Sequence, residues 1–152
     1  MKQTIILASD HAGFALKEAV KKWLKENSYE VVDVGAHEFT EDDDYPIYIT
    51  AAAMKISADL KGGTRAIIFG ASGQGEAIVA NRFPGVRAVV WYGGDQDVLR
   101  HTRNDNDANV LSIGAKYISE QSTLEAIKIW LDTPFSNEER HKRRIGEIDN
   151  IQ

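Results

Sequence analysis

The sequence contains no cysteine, and this absence removes several classes of chemistry at once. Without thiols the chain cannot form a disulfide scaffold, supply a cysteine nucleophile or hold zinc on cysteine ligands. Long apolar runs are also missing, and none approaches the length that crosses a bilayer. The first apolar run, residues 4–8, lacks the basic flank and longer apolar core of a signal peptide. We therefore expect a cytoplasmic protein with no membrane partner.

Positive charge is scarce as well. Lysine and arginine number 18 against 23 aspartates and glutamates, which gives a formal net charge of −5. This balance argues against general nucleic-acid binding, because such binding depends on an excess of positive charge. An anionic ligand must then be held by a local basic cluster. The length of 152 residues and the 43% hydrophobic content predict a single domain over residues 1–152.

Short apolar runs rich in β-branched residues alternate with segments of helical period. Apolar residues at 16, 19, 20, 23 and 24 follow the spacing of one helix face. The alternation predicts an α/β fold, namely a doubly wound, Rossmann-like sheet of five parallel strands flanked by helices. The predicted strands are residues 4–8, 30–34, 65–69, 87–91 and 109–113.

Three later helices are marked by local signals. A second helix is predicted over about residues 46–60, with Pro46 in its first turn. Serine followed three residues later by glutamate forms a capping box, and this pattern occurs at Ser122 and again at Ser136. The second box predicts a C-terminal helix over residues 136–151, which we expect to pack at a subunit interface.

Ligands of open α/β sheets bind beyond the carboxyl ends of the strands. The predicted strand ends carry Ser-Asp-His-Ala-Gly at residues 9–13, Gly-Ala-Ser-Gly-Gln-Gly-Glu at 70–76 and Ile-Gly-Ala-Lys at 113–116. Most candidate chemistry therefore falls in loops that share one edge of the predicted sheet. This agreement is a stronger indication of a site than any one of the motifs.

The glycine-rich segment 70–76 could present several backbone N–H groups to one oxygen anion. Its spacing matches neither a Walker loop nor the dinucleotide-binding fingerprint. Glu76 could take a proton from carbon while those N–H groups stabilise the resulting oxyanion. A carboxylate at a helix N-terminus is also favourable without any catalytic role. Spacing alone does not separate these interpretations.

Three further motifs are weaker indications of a site when each is taken alone. Asp10 and His11 follow the first strand, where such a pair is more often a helix cap and a surface histidine. Arg140 and Arg144 share a helix face and could grip a phosphate, although basic runs usually pair with neighbouring carboxylates. The polar residues 103–109 precede the fifth strand, and by themselves they are most simply a loop of turn-forming Asn and Asp. If they belong to the same site, we expect a second subunit to deliver them. Glu41 to Asp43 reads as a solvated loop.

The ordered set of motifs resembles the ribose-5-phosphate isomerase B family, which also contains galactose-6-phosphate isomerase. The resemblance covers nearly the whole chain and is far more specific than a lone glycine motif. It is carried by residues 9–13, by Asp-Tyr-Pro at 44–46, by residues 70–76, Ala-Asn at 80–81, Pro-Gly-Val-Arg-Ala at 84–88, Asn-Asp-Ala-Asn at 106–109 and Arg-His at 140–141.

The resemblance implies a chemistry for one group of residues. Asp10 and His11 would contact the sugar and help open its ring. Ser72 and the N–H groups of Gly73 and Gly75 would surround the oxygen that becomes negative. Some members carry their base as a cysteine at position 70 and others as a glutamate at position 76. With Gly70 and Glu76, this chain resembles the glutamate type, which needs neither a metal nor an organic cofactor.

A second group of residues would bind the substrate. The resemblance implies that Asn106 contacts the sugar and that Arg140, Arg144 and Lys116 hold its phosphate. It also implies a homodimer or tetramer with sites completed across the interface. Where the family usually has a ring-opening histidine this chain has Asp105, a weaker acid–base match near pH 7 unless burial raises its pKa. His101 lies four residues earlier and could substitute for it, although a surface histidine is the favoured interpretation.

The sequence therefore predicts an aldose–ketose isomerase that interconverts ribose 5-phosphate and ribulose 5-phosphate. A paralogue acting on galactose 6-phosphate or allose 6-phosphate is a close alternative because of Asp105. A phosphosugar-binding protein without catalysis is a further alternative, against which Glu76 argues. A nucleotide-binding flavodoxin-like domain ranks last because the glycine spacing does not fit.

Overall fold

The structure, a computed structural model, describes residues 3–151 and contains one five-stranded sheet. The strand order is β2-β1-β3-β5-β4, and all four pairings are parallel. This confirms the predicted doubly wound α/β fold, and every strand begins and ends within one residue of its prediction. The strands are β1 (Thr4–Ser9), β2 (Glu30–Asp33), β3 (Arg65–Gly70), β4 (Ala88–Trp91) and β5 (Val110–Gly114).

Helices cover both faces of the sheet. Helices α1, α4 and α5 pack against one face through Val20, Leu99 and Trp130, and α2 and α3 pack against the other through Ile49 and Ala80. No helix within residues 3–151 is long and apolar enough to cross a membrane. The helices are α1 (Phe14–Glu26), α2 (Tyr45–Ala58), α3 (Gln74–Ala80), α4 (Gln96–Asn104), α5 (Glu120–Asp132) and α6 (Glu139–Asp149).

The alternation of side chains along each strand builds two cores. In β1, Ile5 and Leu7 enter the core beneath α1 and α5, while Ile6 and Ala8 enter the core beneath α2. All four are at most 2% exposed. Strands buried on both faces have continuous apolar sequences, and that continuity made them recognisable.

The strand order fixes where a ligand would bind. From β1 the chain passes to β2 on one side, and it then crosses over to place β3 on the other side of β1. The neighbouring strands β1 and β3 therefore form the topological switch point, whose crevice lies beyond their carboxyl ends. The loops that begin at Asp10 and Ala71 both open onto this crevice.

Both predicted capping boxes were wrong. Helix α5 begins earlier than expected because Ser119 is its N-cap and accepts a hydrogen bond from the N–H of Ser122 at 3.1 Å. Helix α6 begins at Glu139 because Asn137 has a left-handed φ of 59°, which a helix cannot continue through. The Ser136 hydroxyl instead accepts the N–H of Glu138.

Candidate functional site

Glu76 lies in the first turn of α3, and its side chain folds back over the end of β3. It is 4% exposed, and its carboxylate occupies the space that a Cβ at position 70 would need, so glycine at 70 allows this conformation of Glu76. Burial raises the pKa of Glu76, and the nearby charge of Asp10 raises it further. A carboxylate with a raised pKa is a better proton acceptor, which suits a base that works on carbon.

The loop between β3 and α3 places backbone donors beside that carboxylate. Gly73 has a left-handed φ of 75° and is the N-cap of α3. The N–H groups of Gly73 and Gly75 have no acceptor among the described residues. The Ser72 hydroxyl accepts the N–H of Gln74 at 3.3 Å. The loop therefore offers free N–H groups at the entrance of a helix, where negative charge is stabilised.

Asp10 stands at the end of β1, the strand that pairs with β3. Its Oδ1 accepts hydrogen bonds from the N–H groups of Ala12 and Gly13 at 3.0 and 3.4 Å. Burial raises the pKa of Asp10 despite these bonds, and the side chain is 8% exposed. The helix cap expected from the sequence is thus present. The negative charge of the same carboxyl group also raises the pKa of Glu76.

His11 is partly exposed and is held by Asp43, a residue that the sequence interpretation assigned to a solvated loop. Oδ1 of Asp43 lies 2.8 Å from the backbone nitrogen of His11 and 2.8 Å from ring Nδ1. The Asp43 side chain is only 8% exposed, so the solvated-loop interpretation was wrong for this residue. A signal was available, because residue 43 follows β2 and the carboxyl ends of parallel strands share one edge.

Asp10, His11 and Asp43 also satisfy the geometry of a small cation site. Each offers one ligand atom, and these atoms lie within 4.8 Å of one another. Hydrogen bonds already engage Oδ1 of both aspartates and Nδ1 of the histidine. We therefore interpret the cluster as a hydrogen-bonded network rather than as a metal centre.

A cavity of about 310 Å³ opens beside the glycine loop. Its lining comprises Ser72, Gln74, Tyr92 and Tyr117, and the two tyrosine rings meet edge to face with centroids 6.1 Å apart. Lys116 is exposed next to Tyr117, and its backbone N–H bonds to the carbonyl of Ala71. The carboxyl edge thus combines a buried carboxylate, free N–H donors and an ammonium group.

A different set of predicted site residues lies at the amino end of β5. Asp105 follows α4 and pairs with His101 and His141, at 3.4 and 3.6 Å. A hydrogen bond from Asn104 and the two histidines lower the pKa of Asp105, so the carboxyl group is ionised and serves as an acceptor. His101 is 70% exposed, as expected for a surface histidine. Asn106 is exposed.

The basic residues of α6 lie on this same side of the molecule. His141 in α6 contacts Asp105, and the carbonyl of Asn104 accepts the N–H of Ser136. Arg140 pairs with Glu138 at 2.9 Å, as the non-functional interpretation of basic runs anticipates. Arg144 is exposed and has no ion pair within residues 3–151.

One chain does not bring the two groups together. Strand β5 has five residues, which span roughly 15 Å between its amino and carboxyl ends. The structure gathers one group of predicted site residues at the carboxyl edge: Asp10, His11, Ser72, Gly73, Gly75, Glu76 and Lys116. It leaves Asp105, Asn106, Arg140 and Arg144 beyond the opposite edge.

Comparison with known proteins gives consistent matches over nearly the whole chain. A profile of the family described as Ribose/Galactose Isomerase matches residues 5–148. Ribose-5-phosphate isomerase B of Mycobacterium tuberculosis is 36% identical over 141 residues, which are 93% of this chain and 85% of that protein.

Solved structures agree with this result. Ribose-5-phosphate isomerase B from Mycoplasma genitalium with bound ribulose-5-phosphate superposes with a TM-score of 0.91 at 29% identity, covering 98% of this chain and 95% of that one. The Thermotoga maritima ribose 5-phosphate isomerase superposes with a TM-score of 0.89 at 34% identity, covering 99% and 100%.

Proposed function

This chain belongs to the ribose/galactose isomerase family, and from that premise we propose that it interconverts ribose 5-phosphate and ribulose 5-phosphate with Glu76 as the base. One observation carries the proposal: a buried carboxylate of raised pKa lies beside free backbone N–H groups at the switch point of the sheet. Relatives named as ribose-5-phosphate isomerase B support the choice of a pentose phosphate.

The proposed reaction follows from these groups. After the sugar ring opens, Glu76 removes the proton on C2 of the aldose, and the C1 oxygen becomes negative in a cis-enediolate. The N–H groups of Gly73 and Gly75, with the Ser72 hydroxyl, stabilise that oxygen; one such donor is typically worth about 3 kcal/mol. Transfer of the O2 proton to O1, with return of the proton from Glu76 to C1, gives the ketose, and no step in this scheme calls for a metal or an organic cofactor.

We also propose that two subunits complete each site. Asn106, Arg140 and Arg144 of one chain would reach the carboxyl edge of a second copy and hold the sugar and its phosphate. An apolar surface supports association, since Ile47 and Met54 of α2 are 69% and 57% exposed. Residues 1–152 would form one isomerase domain, with the C-terminal helix at the interface. The cytoplasmic location expected from the sequence stays a prediction.

A hexose 6-phosphate isomerase is the second candidate, and Asp105 is the observation that favours it. With its lowered pKa, Asp105 can accept a proton during ring opening but is a poor donor near neutral pH. Sugars differ in the ring that must be opened. Aspartate in place of the ring-opening histidine therefore affects the choice of substrate more than the type of reaction. A protein that only binds phosphosugars would have no use for a buried base such as Glu76.

The test is turnover of ribose 5-phosphate by the purified protein, with galactose 6-phosphate and allose 6-phosphate assayed in parallel. We expect the highest kcat/KM for the pentose phosphate. A preference for either hexose phosphate would move the assignment to the second candidate. Binding of all three without turnover of any would support a binding protein instead.

A further inference from the structure

We infer that Asp43 is a positioning residue for His11: its carboxylate holds the imidazole with Nε2 directed to the substrate, where it donates the proton that opens the sugar ring. This inference rests on the proposed function and adds a residue that belongs to none of the recognised motifs. Asp43 acts only through His11, so its loss should affect ring opening and spare the proton transfer at carbon.

The contacts between the two residues fix both the backbone and the ring. Oδ1 of Asp43 accepts the backbone N–H of His11 and pairs with Nδ1, both at 2.8 Å. A carboxylate at Nδ1 keeps the proton on that nitrogen, which sets the tautomer and leaves Nε2 for another partner. Within residues 3–151, Nε2 of His11 has no hydrogen-bond partner.

The surroundings of His11 favour its charged form. Asp10 Oδ2 lies 3.9 Å from Nδ1, Asp42 contributes a further negative charge, and the Phe39 ring meets the imidazole edge to face. The hydrogen bond to Asp43 is the largest cause of a raised pKa at His11. Burial alone would raise the pKa of Asp43, but its hydrogen bonds from His11 outweigh burial and lower that pKa.

The Asp43 carboxylate is largely buried, and His11 is its main partner. Its Oδ2 is buried without a partner at hydrogen-bond distance among the described residues, although the Tyr48 hydroxyl is near enough to lower the pKa of Asp43 further. An ionised group with little solvent and one main partner is well suited to orient that partner. Asp42, its neighbour in sequence, is exposed and makes no such contact with His11.

The ring-opening step balances with these groups. In the cyclic aldose, the C1 hydroxyl proton passes to the Asp10 carboxylate and the bond between C1 and the ring oxygen breaks. The ring oxygen takes its proton from Nε2 of the His11 imidazolium, which becomes a neutral imidazole protonated at Nδ1. The product is the open-chain aldehyde, from which Glu76 can then remove the proton on C2.

Two reactions of the same enzyme separate ring opening from proton transfer. Ribose 5-phosphate is cyclic, whereas ribulose 5-phosphate stays open because its C5 oxygen is esterified and cannot close a five-membered ring. Incorporation of solvent deuterium at C1 of ribulose 5-phosphate therefore reports proton transfer without ring opening. Conversion of ribose 5-phosphate requires both steps.

We expect Asp43→Asn to lower kcat/KM for ribose 5-phosphate about 10-fold or more, as is common when a residue behind an active imidazole is changed. Deuterium incorporation should stay within about twofold of wild type, since Glu76 is untouched. The pKa of His11, read by NMR, should fall, and the alkaline limb of the pH profile should move to lower pH with it. Asp43→Glu keeps the charge and should restore that limb in part.

Asp42→Asn is the matched control, because it removes the same charge from the adjacent residue. Asp42 has a left-handed φ of 58°, which asparagine also tolerates, so the loop should keep its shape. We expect nearly wild-type rates in both reactions and a smaller fall in the pKa of His11 than in Asp43→Asn, because Asp42 is the smallest of the causes that raise that pKa and Asp43 the largest.

Four results would count against the inference. An unchanged kcat/KM in Asp43→Asn, or an unchanged pKa of His11, would remove the positioning role. Equal losses in both reactions would indicate that Asp43 only holds the loop. Absence of both reactions in the wild-type enzyme would overturn the proposed function, and this inference with it.

Discussion

The two ends of the sheet differ in how completely a single chain builds them. At the carboxyl edge, Glu76 and Asp10 are 4% and 6% exposed, and burial raises the pKa of each. At the amino edge, Asn106 and Arg144 are exposed, and hydrogen bonding lowers the pKa of Asp105. The comparison shows that one chain by itself buries the carboxyl groups that we propose for proton transfer, whereas groups that we propose to hold the substrate stay exposed.

Burying a carboxyl group at the carboxyl edge of the sheet lowers the stability of the folded chain. A carboxyl group whose pKa is raised in the folded state disfavours folding at pH values above its unfolded pKa, where the unfolded chain carries the charge more easily. Glu76 is such a group. Its conformation is therefore stabilised by the rest of the fold and retained, in our account, for its chemistry.

The largest expected effect follows from neutralising Glu76. Glu76→Gln should reduce turnover of ribose 5-phosphate at least about 10³-fold, because the base is lost while the shape is kept. The same change should raise the melting temperature at pH 7, since a penalised charge is removed. Steady-state kinetics and thermal unfolding test both effects on one sample.

Glu120→Gln is the control for this prediction. Glu120 is exposed and also lies in the first turn of a helix, so it tests whether charge at a helix start matters in itself. We expect full activity and an unchanged or slightly lower melting temperature. If Glu76→Gln lost stability but kept its activity, the role of Glu76 would instead be to stabilise the N-terminus of α3 by its charge.

Gly70→Ala should have the next largest effect. The new Cβ overlaps the Glu76 carboxylate, which must move away from its place at the switch point. We expect kcat to fall about 10²-fold with little change in KM, since a misplaced catalytic group loses transition-state contacts. Gly146→Ala is the control because nothing lies within 4 Å of its new Cβ, and it should be active and slightly more stable.

The next prediction concerns Arg140 and Arg144, which lie at the amino edge of the sheet. Each arginine that binds the phosphate contributes a charge-assisted hydrogen bond, so the double change to glutamine should raise KM about 10- to 100-fold with a smaller effect on kcat. Arg143→Gln is the control, because residue 143 is exposed and turned about 100° from Arg144 on the same helix. An unchanged KM in the double variant would leave these arginines as a solvated face.

The sequence was sufficient for the fold and for most of the carboxyl edge. Strands buried on both faces have continuous β-branched runs, so their bounds were predicted to within one residue. Asp43 was missed because its burial depends on a contact with His11, 32 residues away, that no local pattern reports. The capping boxes failed because Ser119 and the left-handed Asn137 decide where α5 and α6 begin.

A mixed dimer tests directly whether each site combines the carboxyl edge of one chain with the amino edge of another. A mixed dimer is isolated in which one subunit carries Glu76→Gln and the other carries Arg140→Gln with Arg144→Gln. If sites are shared in a symmetric dimer, one of the two is intact, and about half of the wild-type kcat/KM should return. Alone, Glu76→Gln should be nearly inactive, and the double arginine variant should have a kcat/KM about 10- to 100-fold below wild type. A mixed dimer whose kcat/KM is no higher than that of the double arginine variant would show that each chain builds its own site, and would contradict the proposed sharing of sites.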